Sequence, residues 1–466
     1  MRLLVYGLGR SGGAVVARAV REGHRVAFAD SREHGDDVDL ALALGATRVR
    51  DVSAWPADLC VAAPGVPLTH PDLVRLVELG TEVIGEVEWI WRSVPARTVG
   101  ITGTAGKGTV TRWLTDTLLR AGVDAVAGGN IVPALAAVAR PGATLVIELS
   151  SFQLERCPTL RPDVAVVLNL GIDHLDRHGD MESYHAAKRA LLVHLGPEQT
   201  FVYNADDARL RAWAEATPAA TRGYGVAETG TGDGRALDAR LDPTGATLVL
   251  GDEVLLAASE LRVRGRHQIG NALAVALAAQ ALGVTRPVIA DALRDFGGLP
   301  GRYAEVGTLG DVLFVEDSIA TRQLAVEAAL DTTPGPIVWL AGGVDKGSDV
   351  GALEAVLRDK VTLILGLGAS GPEIVAKAPG VRAETVATAD GRAMMREAVR
   401  RAWEHLEAMH GGRGSVLLAP LAASFDQFRD YTDRGEAFRE AVAALVEDVR
   451  ALSALRGEEV AWTPSS

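Results

Sequence analysis

Gly100-Ile101-Thr102-Gly103-Thr104-Ala105-Gly106-Lys107-Gly108-Thr109 is an apolar strand that runs into a glycine-rich loop and then into the first turn of a helix. Backbone N–H groups of such a loop converge at a helix N-terminus, where phosphate is favoured. Lys107 adds a point charge for β- and γ-phosphates, and the Thr109 hydroxyl stands where it can reach Mg2+. Gly103, Thr104, Gly106 and Gly108 complete the candidate nucleotide loop. Its spacing departs from GxxxxGK[ST], because two residues separate Gly103 from Gly106. Strand, loop and helix in this order predict a P-loop ATPase-type domain on a parallel sheet.

The rest of the chain frames this segment. At 466 residues it is too long for one core, and about three domains are expected. Apolar residues make up 48% and charged residues 23%, an ordinary α/β composition rather than a disordered one. A net charge of −13 argues against nucleic-acid binding as the main role. The two cysteines, Cys60 and Cys157, provide neither a disulfide framework nor a cysteine metal site. The N-terminal run MRLLVYGLG reads as a strand entering a glycine turn, not a signal peptide, and no apolar stretch is long enough to span a membrane. A cytoplasmic location is expected.

Three segments each begin with strand, glycine and helix, and they predict three domains: 1–95, Rossmann-like; 96–298, the central ATP-binding domain; and 299–466, Rossmann-like again. In the third, Ile337 to Gly343, Val361 to Gly366 and Ser415 to Ala419 read as parallel strands between helical stretches such as Arg392 to Met409. Thr229 to Glu253 reads as hairpins or a loop excursion, and the last dozen residues as a loose tail.

Further candidates follow predicted strands, where open α/β sheets bind ligands. Gly7-Leu8-Gly9-Arg10-Ser11-Gly12 is a dinucleotide fingerprint, with Asp30 at the end of the next strand. It suits NAD or any diphosphate-linked nucleotide, with Ser31 and Arg32 facing a base or phosphate. Glu148, closing Val146-Ile147-Glu148, is placed to hold a metal beside the phosphate loop. Asn169 to His178 packs Asp173, His174, Asp176 and His178 into one loop, a set suited to Mg2+ or Mn2+. Arg302, Asp317-Ser318, Thr321, Gly342 to Gly347 and Pro420 to Asp426 would form a polar rim for a carboxylate-bearing substrate. Lys188 lies on a helical pattern, and its spacing alone reads as a surface lysine.

Taken together, these motifs resemble the ATP-dependent Mur ligases, and Glu148-Leu149-Ser150-Ser151-Phe152-Gln153-Leu154 resembles their D-glutamate-adding branch. Ala63-Pro64-Gly65-Val66-Pro67, Gly129-Asn130-Ile131, Asn204 to Asp207, Asp426-Gln427-Phe428 and Arg434-Gly435 support the match, which runs from Leu3 to about Phe438. The resemblance implies UDP rather than NAD in the first domain, with Arg10, Ser11, Ser31, Arg32 and Asn130 contacting UDP-N-acetylmuramoyl-L-alanine. It assigns Lys107 and Thr109 to ATP, with Asn271, Arg302 and Asp317 around adenine, γ-phosphate and ribose. Mg2+ falls to Thr109, Glu148 and His174, and to Lys188 as a carbamate. Thr321, Lys346, Ser424 and Phe425 match positions that hold D-glutamate. The implied reaction joins the two substrates through an acyl phosphate in peptidoglycan precursor synthesis. Lys107, His174 and Lys188 are its catalytic candidates, His174 serving as base only if no metal occupies it. The expected partners are these small molecules, not nucleic acid or membrane, and the chain is expected to be a monomer.

The chain departs from the family pattern at several points. Ala105 and Gly108 replace Asn and Ser or Thr in the loop, and Gly106-Lys107-Gly108 resembles folylpolyglutamate synthetases. Gln268 replaces Asn, Gly301 replaces His, and Ile319 and Arg322 replace Lys and Asn. Arg322 would stand in for the missing lysine if its segment starts a helix. The rival readings are a folylpolyglutamate-synthetase-like ligase, a nicotinamide-dependent oxidoreductase suggested by residues 1–30, and a non-catalytic paralogue.

Overall fold

The computed structural model describes residues 1–227, 237–344, 350–378, 380–388, 390–456 and 460–464. Three sheets form, and parallel pairing dominates them, as the alternating pattern predicts. The first contains β1 (Arg2–Tyr6), β2 (Arg25–Ala29), β3 (Thr47–Arg48), β4 (Leu59–Ala62) and β5 (Glu82–Ile84), in the order β3-β2-β1-β4-β5. Leu3, Leu4 and Val5 are all buried. A parallel strand covered on both faces needs such a continuous apolar run.

The second sheet is built from β6 (Arg97–Thr102), β7 (Ala125–Gly129), β8 (Thr144–Glu148), β9 (Val164–Val167), β10 (Thr200–Asn204) and β11 (Ala220–Gly225). It is extended by β12 (Ala239–Leu241), β13 (Thr247–Leu250) and β14 (Glu253–Ala257), with antiparallel pairing from β12 to β14. The hairpin reading of Thr229 to Glu253 therefore holds for its described part; 229–236 lie outside the described residues. The strand order is β14-β13-β12-β11-β10-β9-β6-β8-β7, which places the phosphate-loop strand β6 between β9 and β8.

These two sheets belong to one compact unit, Met1–Leu261 with Gln268–Phe296. Their cores merge: Val15, Val16 and Ala19 of the helix Gly9–Arg21 join Leu135, Ala136 and Leu145 in one apolar cluster. Buried polar side chains pin the seam. Arg18 donates to the Ala139 carbonyl at 2.7 Å, and Glu86 accepts from Ala136 N at 2.7 Å.

The second unit, Arg262–His267 with Gly297–Ser466, holds the third sheet. Its strands are β15 (Ala304–Leu309), β16 (Asp311–Glu316), β17 (Ile337–Gly342), β18 (Val361–Leu367), β19 (Ala383–Val386), β20 (Arg413–Leu418) and β21 (Trp462–Pro464), in the order β19-β18-β17-β20-β16-β15-β21. The loose tail expected at the C-terminus is corrected for 462–464; 457–459 and 465–466 lie outside the described residues. β21 pairs antiparallel with β15, Thr308 opposite Thr463. The Trp462 ring lies on Gly307, where a Cβ would leave it no room, so one aromatic side chain and an open backbone position anchor the strand. Among the described residues no helix is long and apolar enough to cross a membrane.

Candidate active site

β6 delivers Gly103 to Gly106 to the carboxyl end of the second sheet, and the helix Lys107–Arg120 follows at once. Gly106 caps that helix at φ +83°, and a Cβ there would lie 2.7 Å from Asn271 Oδ1. Only glycine meets both demands. Asn169, just beyond β9, shapes the loop from the side. Its Oδ1 accepts from Thr104 N at 3.0 Å and Ala105 N at 2.8 Å, and its Nδ2 donates to Ala105 O at 3.1 Å. Lys107 Nζ donates to Gly103 O at 2.9 Å and Thr104 O at 3.0 Å, so its charge stays on the loop. Gly108 and Thr109 are buried in the helix's first turn. Asn271 is buried too, donating through Nδ2 to Gln268 Oε1 at 3.0 Å.

Lys188 is no surface lysine. It is 1% exposed on the helix Met181–Arg189, and Nζ donates to Gly103 O at 2.9 Å, the carbonyl that Lys107 also uses. Burial, followed by repulsion from Lys107, pushes its ammonium down from 10.5 to about 7, against the attraction of Asp173. Tyr184, one turn earlier, places its ring 4.5 Å from Nζ, and its hydroxyl lies 3.3 Å from Thr104 Oγ1. His174 takes a left-handed backbone, φ +53°, at the start of the helix Leu175–His178, with its ring 4.7 Å from that of Phe152. Its Nε2 is 3.4 Å from Asp173 Oδ2.

Glu148 ends β8, next to β6, and is 4% exposed. Oε1 accepts from Asn130 Nδ2 at 3.0 Å, whereas Oε2 is buried and has no hydrogen-bond partner among the described residues. A buried carboxylate oxygen left over in this way costs free energy unless a cation or donor meets it. The unpartnered Glu148 oxygen fits a hard cation such as Mg2+, which takes oxygen ligands. Among the described residues no three His, Cys, Asp or Glu side chains form a metal cluster by themselves.

On the first sheet, Arg10 and Ser11 open the helix after β1, and Ser31 and Arg32 follow β2. Gly12 passes so close to Gly7 that a Cβ would strike the Gly7 carbonyl. Asp30 is already engaged: Oδ2 accepts from Leu8 N at 2.7 Å, and Oδ1 from Arg32 N at 2.9 Å and Nε at 3.0 Å. Burial opposes its ionisation, but these bonds win and hold it at about 2. Asn130 stands apart from these four, at the end of β7 on Glu148. Arg156 and Arg177 clasp the Ala63–Pro67 loop onto the second sheet. Arg177 donates to Gly65 O at 3.3 Å, and Arg156 donates to Pro64 O at 3.4 Å and to Val66 O.

The second unit gathers Asp317, Thr321, Ser424 and Phe425 around the ends of β16 and β20. Main-chain bonds between Val344 and Ala423, 2.7 and 3.0 Å, join the loops after β17 and β20, the point where strand order reverses. Ser424 is buried and Phe425 is 72% exposed; Lys346 lies outside the described residues. Burial pushes Asp317 up to about 7; a backbone bond from Tyr303 opposes this, Glu316 adds to it, and Arg302 opposes it. Arg434 is 2% exposed and bonds the carbonyls of Gly342, Ser318 and Ala422, tying the end of β17 to the loops after β16 and β20. Arg322 does not share a helix with Ile319: Ser318 and Ile319 form a turn, and the helix Gln323–Thr332 starts after Arg322.

Sequence reasoning assigned no role to Asn169, Tyr184 or Arg434. Asn169 carried a signal, as the first polar side chain after a buried strand. Tyr184 stands four residues before Lys188, one helical turn away.

The family model of the Mur ligase middle domain matches residues 101–279, and that of the MurD-like N-terminal domain of Mur ligases matches 1–85. UDP-N-acetylmuramoylalanine–D-glutamate ligase of Thermus thermophilus is 45% identical over 466 residues, 99% of each chain. The enzyme of the same name from Deinococcus radiodurans is 44% identical, over 96% of this chain and 92% of its own. The structure of MurF ligase from Thermotoga maritima in complex with ADP matches with a TM-score of 0.60 at 18% identity, over 91% of this chain and 95% of that one. At that identity the likeness concerns the fold. The full-length identities, with the two domain matches, establish that the chain belongs to the Mur ligase family, in its UDP-N-acetylmuramoylalanine–D-glutamate ligase branch.

Proposed function

We propose that this chain is an ATP-dependent, ADP-forming ligase that adds D-glutamate to UDP-N-acetylmuramoyl-L-alanine in peptidoglycan precursor synthesis, in the cytoplasm. Full-length relatives at 45% identity bear that enzyme's name. The observation that carries the reading in the molecule is the phosphate loop with two lysines on one carbonyl, Gly103 O. The reading takes residues 1–95, 96–298 and 299–466 as its three domains. The first binds the UDP moiety through Arg10, Ser11, Ser31 and Arg32. Asp30, already bonded to Leu8 and Arg32, is poorly placed to hold a nicotinamide nucleotide's ribose.

The substrate carboxylate attacks the γ-phosphorus of ATP. A P–O bond to ADP breaks and an acyl phosphate forms. Lys107 then moves from its loop carbonyls to the phosphates, neutralising charge as it transfers. The amine of D-glutamate attacks the acyl carbon; phosphate leaves and the amine gives up a proton. Glu148, Thr109 and His174 would hold Mg2+, which supplies charge neutralisation for the phosphates when bound. Lys188 is suited to carbamylation, since only a neutral amine adds CO2 and burial favours that form. The carbamate would provide the additional oxygen ligand. Arg302 and Asp317 attend the nucleotide, and Thr321, Ser424, Phe425 and Lys346 attend D-glutamate. Phosphate release measured with the UDP substrate, with and without D-glutamate, tests the proposal. ATP hydrolysis indifferent to both substrates would overturn it.

A further inference from the structure

Two departures from the family pattern, Gly301 and Ile319, touch each other: Ile319 N donates to Gly301 O at 3.1 Å. Beneath them lies a carboxylate that the mechanism does not use. Glu316, the last residue of β16, is 0% exposed. Its Oε2 accepts from Gly301 N at 3.1 Å, and its Oε1 from Ser318 N at 2.9 Å. Arg439, from the helix Tyr431–Arg456, donates to Oε2 at 2.6 Å and balances the charge. The same helix makes room for the group, because a Cβ at Gly435 would lie 2.7 Å from Oε1.

One side chain therefore grips the main chain at two points. Gly301 immediately precedes Arg302, and Asp317 lies between Glu316 and Ser318. Gly301 also has φ +78°, a conformation a side chain at that position would strain. We infer that Glu316, braced by Arg439, is a positioning residue for Arg302 and Asp317, fixing the backbone that presents both to the nucleotide. The inference rests on the proposed nucleotide role of those two residues. Buried carboxylates that accept several main-chain N–H bonds are strong organisers, since leaving those donors unpaired is costly. Gly301 and Ile319 enter this loop contact through main-chain groups.

Glu316→Gln places an amide NH2 against N–H donors, and Arg439→Gln removes the brace from a half-exposed site. Each variant is expected to raise the KM for ATP about tenfold, the scale of one lost buried hydrogen bond. The KM values for the UDP substrate and D-glutamate should move less than about twofold, and Arg439→Lys should recover most of the loss. Calorimetric titration of ATP into each variant, beside thermal melting, separates binding from folding. If Glu316→Gln does not fold, the Arg439→Gln and Arg439→Lys pair carries the same comparison. Unchanged ATP affinity in folded variants, or equal rises in all three KM values, would overturn the inference while leaving the ligase reading intact. Wild-type protein that neither binds ATP nor releases phosphate would overturn the ligase reading itself, and the inference with it.

Discussion

Replacing Glu86 with Gln should abolish a pH-dependent contribution to stability at the seam between the first two sheets. Glu86 opens the helix Glu86–Ser93 and is 4% exposed. Its Oε1 is satisfied by Ala136 N, and its Oε2 is buried with no hydrogen-bond partner among the described residues. Burial raises the carboxyl from 4.5 to about 7, against main-chain donors at Ala136 and Leu135. That difference corresponds to about 3 kcal/mol. Because the folded value exceeds the unfolded one, this stabilisation is complete below pH 4.5 and is lost as the pH rises through about 7. Gln keeps the shape and the acceptor but cannot ionise; its NH2 group, without an acceptor, costs about 1 kcal/mol at every pH. The variant should therefore be slightly less stable than wild type near pH 4.5 and about 2 kcal/mol more stable near pH 8. Equilibrium urea denaturation of both proteins across that range measures the difference. A stability gap between them that does not change with pH would show that Glu86 titrates normally, and the argument from burial would fail.

Other predictions concern the chemistry. Lys107→Ala should bind the UDP substrate almost normally and lose at least ~10²-fold in turnover; near-normal phosphate release would remove Lys107 from the phosphate site. Lys188→Ala should be inactive but partly rescued by acetate, which restores an oxygen anion in the gap, whereas full activity in the unsupplemented variant would count against a carbamate. Asp30→Ala should weaken the UDP substrate by about tenfold, because Leu8 N and Arg32 lose their shared partner, and should change nothing toward NADH. Saturable NADH binding to the wild type, displaced by UDP, would contradict the assignment of the first domain.

What could be read from the chain was the part controlled by local rules. Gly7, Gly9 and Gly106 adopt positive φ, and the runs feeding them are buried strands, so turn and strand signalled each other. Lys188 shows the limit: Tyr184-His185-Ala186-Ala187-Lys188 is compatible with either a surface or a buried helix face, and only packing brings Nζ to a carbonyl 85 residues away. Glu316 and Arg439 are 123 residues apart, and the acid reads like any strand-end residue until the helix Tyr431–Arg456 lies against it. Trp462 misled for a related reason. One aromatic among polar neighbours carries no strand pattern, and its partner is an absence, the missing side chain of Gly307.

The first unit is interrupted in sequence, since residues 262–267 belong to the second unit and Gln268–Phe296 return to the first. The returning segment supplies the cover of the phosphate-loop helix: Phe296 stacks on Trp113 at 4.3 Å, and Ala292 O accepts from Trp113 Nε1 at 3.2 Å. During synthesis, a nascent chain that has just extruded Leu261 has all the strands of two sheets and still leaves that indole uncovered. At about 5–20 residues per second, the wait for Phe296 lasts about 2–7 seconds. For that interval Trp113 is an apolar surface that a holdase chaperone can grip, and a rare-codon pause between these two points would prolong its exposure.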